Sequence, residues 1–217
     1  MIKLKSVTKT YLSPKIGRRV ILDSIDFEFP SDKNIGILGR NGAGKSTLMQ
    51  LLSGSEMPDE GVIEIGKTKL SWPLGTSGGI HGTLTGRENI LFLCRLYDYP
   101  FEKAFEFVEE FAELGDYMYV PVKNYSAGMK SRLGFGVSMI LDFDTYLIDE
   151  GFSAGDASFR SKTKAVFEEK SKNSNLIVVS HNPATVKRLC DWAAVLSNGK
   201  LELYTDIDKA IEVYSNL

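Results

Sequence analysis

The segment GRNGAGKS at residues 39–46 has the spacing G-x-x-x-x-G-K-[ST], with a short apolar run, IGIL (35–38), before it and the helix-like KSTLMQLLS after it. Those residue types in that order suit a phosphate chain. Glycines let successive backbone N–H groups turn toward an anion, and a helix N-terminus adds partial positive charge. Lys45 would reach the β- and γ-phosphates of a nucleotide, and the Ser46 hydroxyl would hold Mg²⁺. The nucleotide-binding loop then comprises Gly39, Arg40, Asn41, Gly42, Ala43, Gly44, Lys45, Ser46 and Thr47. A chance glycine-rich turn is the plain alternative, and the flanking strand and helix patterns weigh against it.

Magnesium-dependent phosphoryl chemistry also needs a carboxylate at the end of a neighbouring buried strand. YLIDE (146–150) supplies Asp149 as a metal ligand and Glu150 as candidate base for the attacking water. By itself an acidic pair closing a strand is common; downstream of a phosphate loop it carries more weight. His181 closes NLIVVSH (175–181) and either hydrogen-bonds the γ-phosphate or the water, or simply caps the strand. His81, in a glycine-rich stretch, reads as surface.

These residues need a scaffold. With 217 residues, 43% of them hydrophobic, the chain can bury a sizeable core. The near-continuous apolar runs TYLI and NLIVVS predict strands buried on both faces of a parallel sheet. Alternating IKLKSV (2–7) and VILDSIDFEF (20–29) predict a half-exposed antiparallel sheet, and VIEIGKTKLSW (62–72) two further short strands. RENILFLCRLYDY (87–99) and FEKAFEFVEEFAEL (101–114) have helical spacing split by Pro100. The fold class expected is α/β, with a core at 1–85 and 140–217 and a helical subdomain inserted at 86–139. Helices are expected near 157–171, 184–190 and 206–215, and SNG (197–199) as a hairpin turn.

Composition narrows the function classes. A net charge of −2 argues against a nucleic-acid partner. Cys94 and Cys190 are too few and too far apart for a disulfide framework. No window offers a membrane span, and the N-terminus lacks the apolar core of a signal peptide. Any membrane role would come through a partner.

NYSAGMKSRLGFG (124–136) resembles the signature motif of ATP-binding cassette (ABC) proteins, here Tyr125-Ser126-Ala127-Gly128-Met129. A serine hydroxyl and free N–H groups at a helix start form an anion site, although a serine N-cap needs no ligand. The order of phosphate loop, signature, YLIDE and histidine is that family's order. SAGD (153–156) looks like its D-loop, ending in Asp156, and VTKTY (7–11) like the segment whose aromatic, here Tyr11, stacks on adenine. A strand-end tyrosine otherwise reads as packing.

The resemblance implies a P-loop NTPase core of the ABC ATPase type with an antiparallel β subdomain, ATP and Mg²⁺ as cofactors, and a head-to-tail homodimer. In that dimer Ser126, Ala127 and Gly128 of one copy would face the nucleotide of the other. Within the family, SWPLGTSGGIHGTLTGREN, EFVEEFAELG and YSAGMKSRLGFG resemble the ATP-binding subunits of bacterial capsular polysaccharide exporters. O-antigen and teichoic acid exporters share the T-GREN segment. The implied partners are an integral membrane permease at the cytoplasmic face of the bacterial inner membrane and a polysaccharide contacted mainly by that permease. Some related exporters carry a further domain, for which the residues after 204, one predicted helix, leave no room.

One departure stands out. The family places a glutamine near the start of the loop at 71–86, whereas the one glutamine here is Gln50, and Pro73 falls near the expected position. The metal is therefore expected to rest on Ser46 and Asp149 without a side chain from 71–76. The loop itself, through Ile80 and Leu84, is the expected docking surface for the permease, with Trp72 anchoring its near end.

Overall fold

The computed structural model describes residues 1–13, 17–74, 79–149 and 157–217. Contacts divide the chain into two compact units, one built from Met1–Pro73, Phe143–Glu150 and Ser174–Leu217, the other from Leu74–Asp142 and Gly151–Asn173.

In the first unit, β1 (Ile2–Ser13) pairs antiparallel with β2 (Gly17–Phe29) on one side. Beyond β3 (Ile35–Leu38) and α1 (Lys45–Leu52), β4 (Glu60–Ile65) pairs with β1's other edge. Both long strands outrun the alternation that suggested them, because bulges break it. Ser6 and Ser24 sit at positive φ (48° and 46°), and the β1–β2 register shifts between Leu4 and Thr10. Beyond β4 the sequence expectation fails. The second strand of 62–72 reduces to a single bridge, Leu70 to Thr145: 66–69 form no ladder, the Thr145 N–H donates to the Lys69 carbonyl (3.2 Å), and the Ser71 N–H donates to the Thr145 carbonyl (3.0 Å).

The second sheet is mostly parallel, in the order β5 (Thr145–Ile148), β6 (Asn175–Val179), β3, β7 (Trp192–Ser197), β8 (Lys200–Tyr204). β3 and β5 are buried along their whole length, as two-face burial of IGIL and TYLI requires. β7 and β8 form the hairpin turned by Asn198 and Gly199, both at positive φ. Leu48, Met49, Leu51 and Leu52 of α1 share one core with residues of both sheets, so α1 is fixed by packing along its length. α6 (Pro183–Leu189) and α7 (Ile207–Ser215) build a smaller core with Leu38, Ala193 and Val195. Both cysteines are free, and burial pushes the Cys190 thiol up to about 12.

The second unit contains α2 (Gly86–Tyr97), α3 (Phe101–Ala112) and α4 (Ala127–Ser138). Pro100 separates α2 from α3, as the sequence suggests. Helix α5 (Ala157–Lys170), read with the core from the sequence, packs here instead. Phe159 meets the Phe111 ring at 5.2 Å, and the Arg132 guanidinium covers Phe159 at 5.0 Å.

Candidate functional site

The phosphate loop begins where β3 ends. The Ala43 N–H donates to the Arg40 carbonyl (3.1 Å), and the chain enters α1 through Gly44 at φ 107°. A Cβ at Gly44 would lie 2.6 Å from Ile21 Cγ2, so both conformation and space demand glycine there. Lys45 is only 7% exposed, and its ammonium donates back to the carbonyls of Gly39 (2.7 Å) and Arg40 (3.2 Å). The loop thus holds its own cation in place while leaving the N-terminus of α1 open to an anion. Arg40 points elsewhere, donating to the Leu217 carbonyl at 2.8 Å.

A cavity of about 410 Å³ opens beside this loop, lined by Asn41, Gly42, Gly44, Lys45, Ser46, Thr47, Asp149, Val179, Arg19 and Ile21. It lies past the C-terminal ends of the parallel strands, where α/β sheets bind ligands. Asp149, half-buried, arrives there from β5, with β6 between its strand and β3. Ser46 brings an exposed hydroxyl to the same space. Among the described residues no group of three or more His, Cys, Asp or Glu could hold a metal. One hydroxyl and one carboxylate fit a hard cation that keeps waters and phosphate oxygens, which is the habit of Mg²⁺. The Ser71 hydroxyl is committed elsewhere, donating to the Trp72 carbonyl (2.8 Å) and accepting the Leu147 N–H (2.9 Å).

Arg19 was not legible as a site residue. It stands on β2 across from Tyr11 and its Nη2 donates to the Gly42 carbonyl at 3.3 Å, which brings a second cation to the cavity. Only the run of β2 past the phosphate loop reveals it; RRV alone reads as an exposed strand end.

Other predicted residues stand apart from this cluster. Gly39 closes β3, while Arg40 and Ala43 line a neighbouring cavity of about 450 Å³. Tyr11 and His181 do not line the 410 Å³ cavity. Tyr11 is 38% exposed at the end of β1. His181 lies two residues beyond β6 rather than within it, and its carbonyl accepts from the Tyr214 hydroxyl at 3.3 Å. Glu150 and Asp156 lie outside the described residues.

In the second unit Ser126 caps α4, its Oγ accepting the Met129 N–H at 3.2 Å. Ser126, Ala127 and Gly128 are exposed, and Ala127 is helical, a conformation alanine takes without strain. Tyr125 anchors this turn from beneath, buried, its hydroxyl donating to the Tyr117 carbonyl. Gly86 permits that fit, since a Cβ there would lie 2.9 Å from the Tyr125 hydroxyl.

Hydrogen bonds fix the described residues 81–85 just before α2. Trp72, in the first unit, packs edge-on against Phe143 at 5.5 Å. Residues 75–78 lie outside the described residues. From His81 onward the chain is clamped by Asn89, which is fully buried. Asn89 accepts the His81 N–H (2.7 Å) and donates to the carbonyls of His81 (3.1 Å) and Thr85 (2.8 Å). Thr85 and Glu88 complete a reciprocal cap on α2. Ile80 and Leu84 are half-buried. Asn89→Ala is expected to cost about 2 kcal/mol in urea unfolding, because it removes three part-buried hydrogen bonds and takes the partner from the His81 N–H. Asn89→Asp, which keeps the acceptor for His81, should recover part of that loss.

No helix among the described residues is long and apolar enough to cross a membrane. The ABC transporter family model matches residues 22–153. The chain is 48% identical to the ATP-binding protein BexA of Haemophilus influenzae, covering 99% of this chain and 98% of the relative. It is 47% identical to the capsule polysaccharide export ATP-binding protein CtrD of Neisseria meningitidis, covering all of both. The teichoic acids export ATP-binding protein TagH of Bacillus anthracis is 39% identical over 89% of this chain but only 36% of its own length. Among solved structures, a dimeric ATP-binding cassette in a post-hydrolysis state, bound to ADP and Pi, superimposes with a TM-score of 0.74. It is 22% identical, and the match covers 93% of this chain and 97% of the other.

Proposed function

This chain belongs to the ABC transporter family, and from that premise we propose that it is the ATP-hydrolysing subunit of an exporter moving capsular polysaccharide across the bacterial inner membrane. The observation that carries the reading is end-to-end likeness to a capsule polysaccharide export ATP-binding protein at 47% identity. Export of teichoic acid fits less well, since that likeness spans about a third of a longer relative.

In this reading the N–H groups of the 39–46 loop and the N-terminus of α1 hold the β- and γ-phosphates, with Lys45 neutralising their charge. Ser46 and Asp149 hold Mg²⁺, which when bound screens the charge that builds on the phosphate oxygens. Glu150 takes the proton of the attacking water, and His181 orients that water or the γ-phosphate. Tyr11 stacks on adenine. Ser126, Ala127 and Gly128, exposed at the start of α4, meet the nucleotide held by a second copy, with Asp156 at the same junction. Closure of the homodimer on ATP, and its release after hydrolysis, drive an integral membrane permease that makes most of the contact with polysaccharide. The chain sits on the cytoplasmic face of the membrane through that partner, near the 71–86 segment.

Deleting the gene in an encapsulated strain tests the substrate. Capsular polysaccharide should accumulate inside the cell and vanish from its surface, with wild-type gene restoring export. Normal surface capsule in the deletion strain would overturn the assignment.

A further inference from the structure

A charged network ties β1 to the loop after α1. Lys9 is 8% exposed, and its ammonium donates to the Met57 carbonyl (2.8 Å) and Asp59 Oδ1 (3.2 Å) and pairs with Glu56 Oε1 at 3.1 Å. Asp59 Oδ2 accepts the Thr10 N–H at 2.7 Å. The second oxygen of Glu56 accepts the Tyr11 hydroxyl at 2.5 Å, and the Lys9 ammonium lies 5.7 Å from the centre of the Tyr11 ring. None of these side chains lines the phosphate cavity itself; the link to it is the Tyr11 hydroxyl, which also bonds Thr47 on the cavity wall.

A lysine this deep persists only with partners, and here two carboxylates surround one ammonium. Burial pulls the Lys9 pKa down, but the hydrogen bonds and charges of Glu56 and Asp59 outweigh it and leave it raised. The Tyr11 hydrogen bond, then Lys9, holds Glu56 below the usual carboxylate range. Burial, then the bond to Glu56, pushes the Tyr11 phenol up. At neutral pH the chain of contacts is therefore a phenol donating to a carboxylate that is itself paired with an ammonium. Tyr11 is held at both ends, by its backbone on β1 and by its hydroxyl on Glu56, and its ring plane has little freedom left to lose on binding a ligand.

We propose that Glu56, backed by Lys9, is a positioning residue for nucleotide binding: through the Tyr11 hydroxyl it fixes the ring on which the base stacks. This rests on the assignment of Tyr11 to adenine. Glu56 touches no nucleotide in this scheme; it acts through Tyr11 alone.

Calorimetry on the full chain, with ADP and with inorganic pyrophosphate as a probe that has no base, separates the possibilities. Glu56→Ala should weaken ADP binding roughly fivefold and leave pyrophosphate binding unchanged. Glu56→Gln, which keeps an acceptor oxygen, should restore most of the ADP affinity. Tyr11→Ala should weaken ADP binding roughly tenfold, and Glu56→Ala should add nothing in that background. Equal losses for ADP and pyrophosphate, or a full additional loss in the Tyr11→Ala background, would overturn the proposal. Wild-type ADP affinity in Tyr11→Ala would remove the stacking assignment itself. A Tyr11→Ala loss with a wild-type Glu56→Ala would remove the positioning role alone.

Discussion

Lys45→Ala is expected to abolish measurable ATP hydrolysis, with a fall of at least about a hundredfold in kcat/KM. The argument is electrostatic. The ammonium is buried against the carbonyls of Gly39 and Arg40, at the mouth of the cavity that Ser46 and Asp149 also line. A cation fixed in a water-poor site stabilises developing phosphate charge far more than one in bulk solvent. Removing it deletes that charge and leaves Arg19 as the nearest remaining cation on the cavity wall. Arg19 cannot substitute, because its guanidinium approaches from β2 and is bonded to the Gly42 carbonyl. Stability should change little, since among the described residues Lys45 donates to loop carbonyls that water can reach once the side chain is gone. Steady-state phosphate release, measured beside a thermal melt, checks both halves. A variant turning over at half the wild-type rate would show that Lys45 does not carry this charge.

How far the sequence alone reached depends on the range of the interactions involved. TYLI and NLIVVS were readable as buried parallel strands because burial on both faces leaves an uninterrupted apolar run. The loop after IGIL was readable because its glycines and lysine act on neighbours a few residues away. Ser126 and Pro100 marked helix starts for the same local reason. What was missed is non-local. Arg19 reaches the cavity because β2 runs past the phosphate loop, some twenty residues on in the chain, and the Lys9–Glu56 pair joins residues 47 positions apart. The role of Asn89 depends on hydrogen bonds to the chain at His81, eight residues earlier, which no local pattern marks. The extent of β1 was hidden by bulges: Ser6 takes a positive φ, and the β1–β2 register shifts three times between Leu4 and Thr10, which breaks the period-2 pattern.

Glu150→Gln should separate binding from chemistry. Asp149 sits half-buried at the end of β5 on the cavity wall, and Glu150 is the next residue in the chain; its own side chain lies outside the described residues. Its assignment as base rests on chemistry: water attacks phosphorus more readily when a carboxylate takes its proton. Glutamine keeps the size and a hydrogen-bonding oxygen but cannot accept that proton. Hydrolysis should fall roughly a hundred- to a thousandfold while ATP affinity stays near wild type. Asp149→Asn should behave differently, because a lost metal ligand weakens Mg²⁺-dependent nucleotide binding as well as turnover. The glutamine variant makes a further demand on the two-copy mechanism. If the contacts of a γ-phosphate hold the signature of one copy against the phosphate loop of another, a copy that cannot hydrolyse should remain closed. Light scattering should then find a stable dimer of Glu150→Gln with ATP, and a monomer with ADP. A monomer under both conditions, with hydrolysis already lost, would separate Glu150's chemistry from assembly and leave Ser126 without its partner nucleotide. Wild-type turnover would instead move the base to another residue, with His181 the next to test.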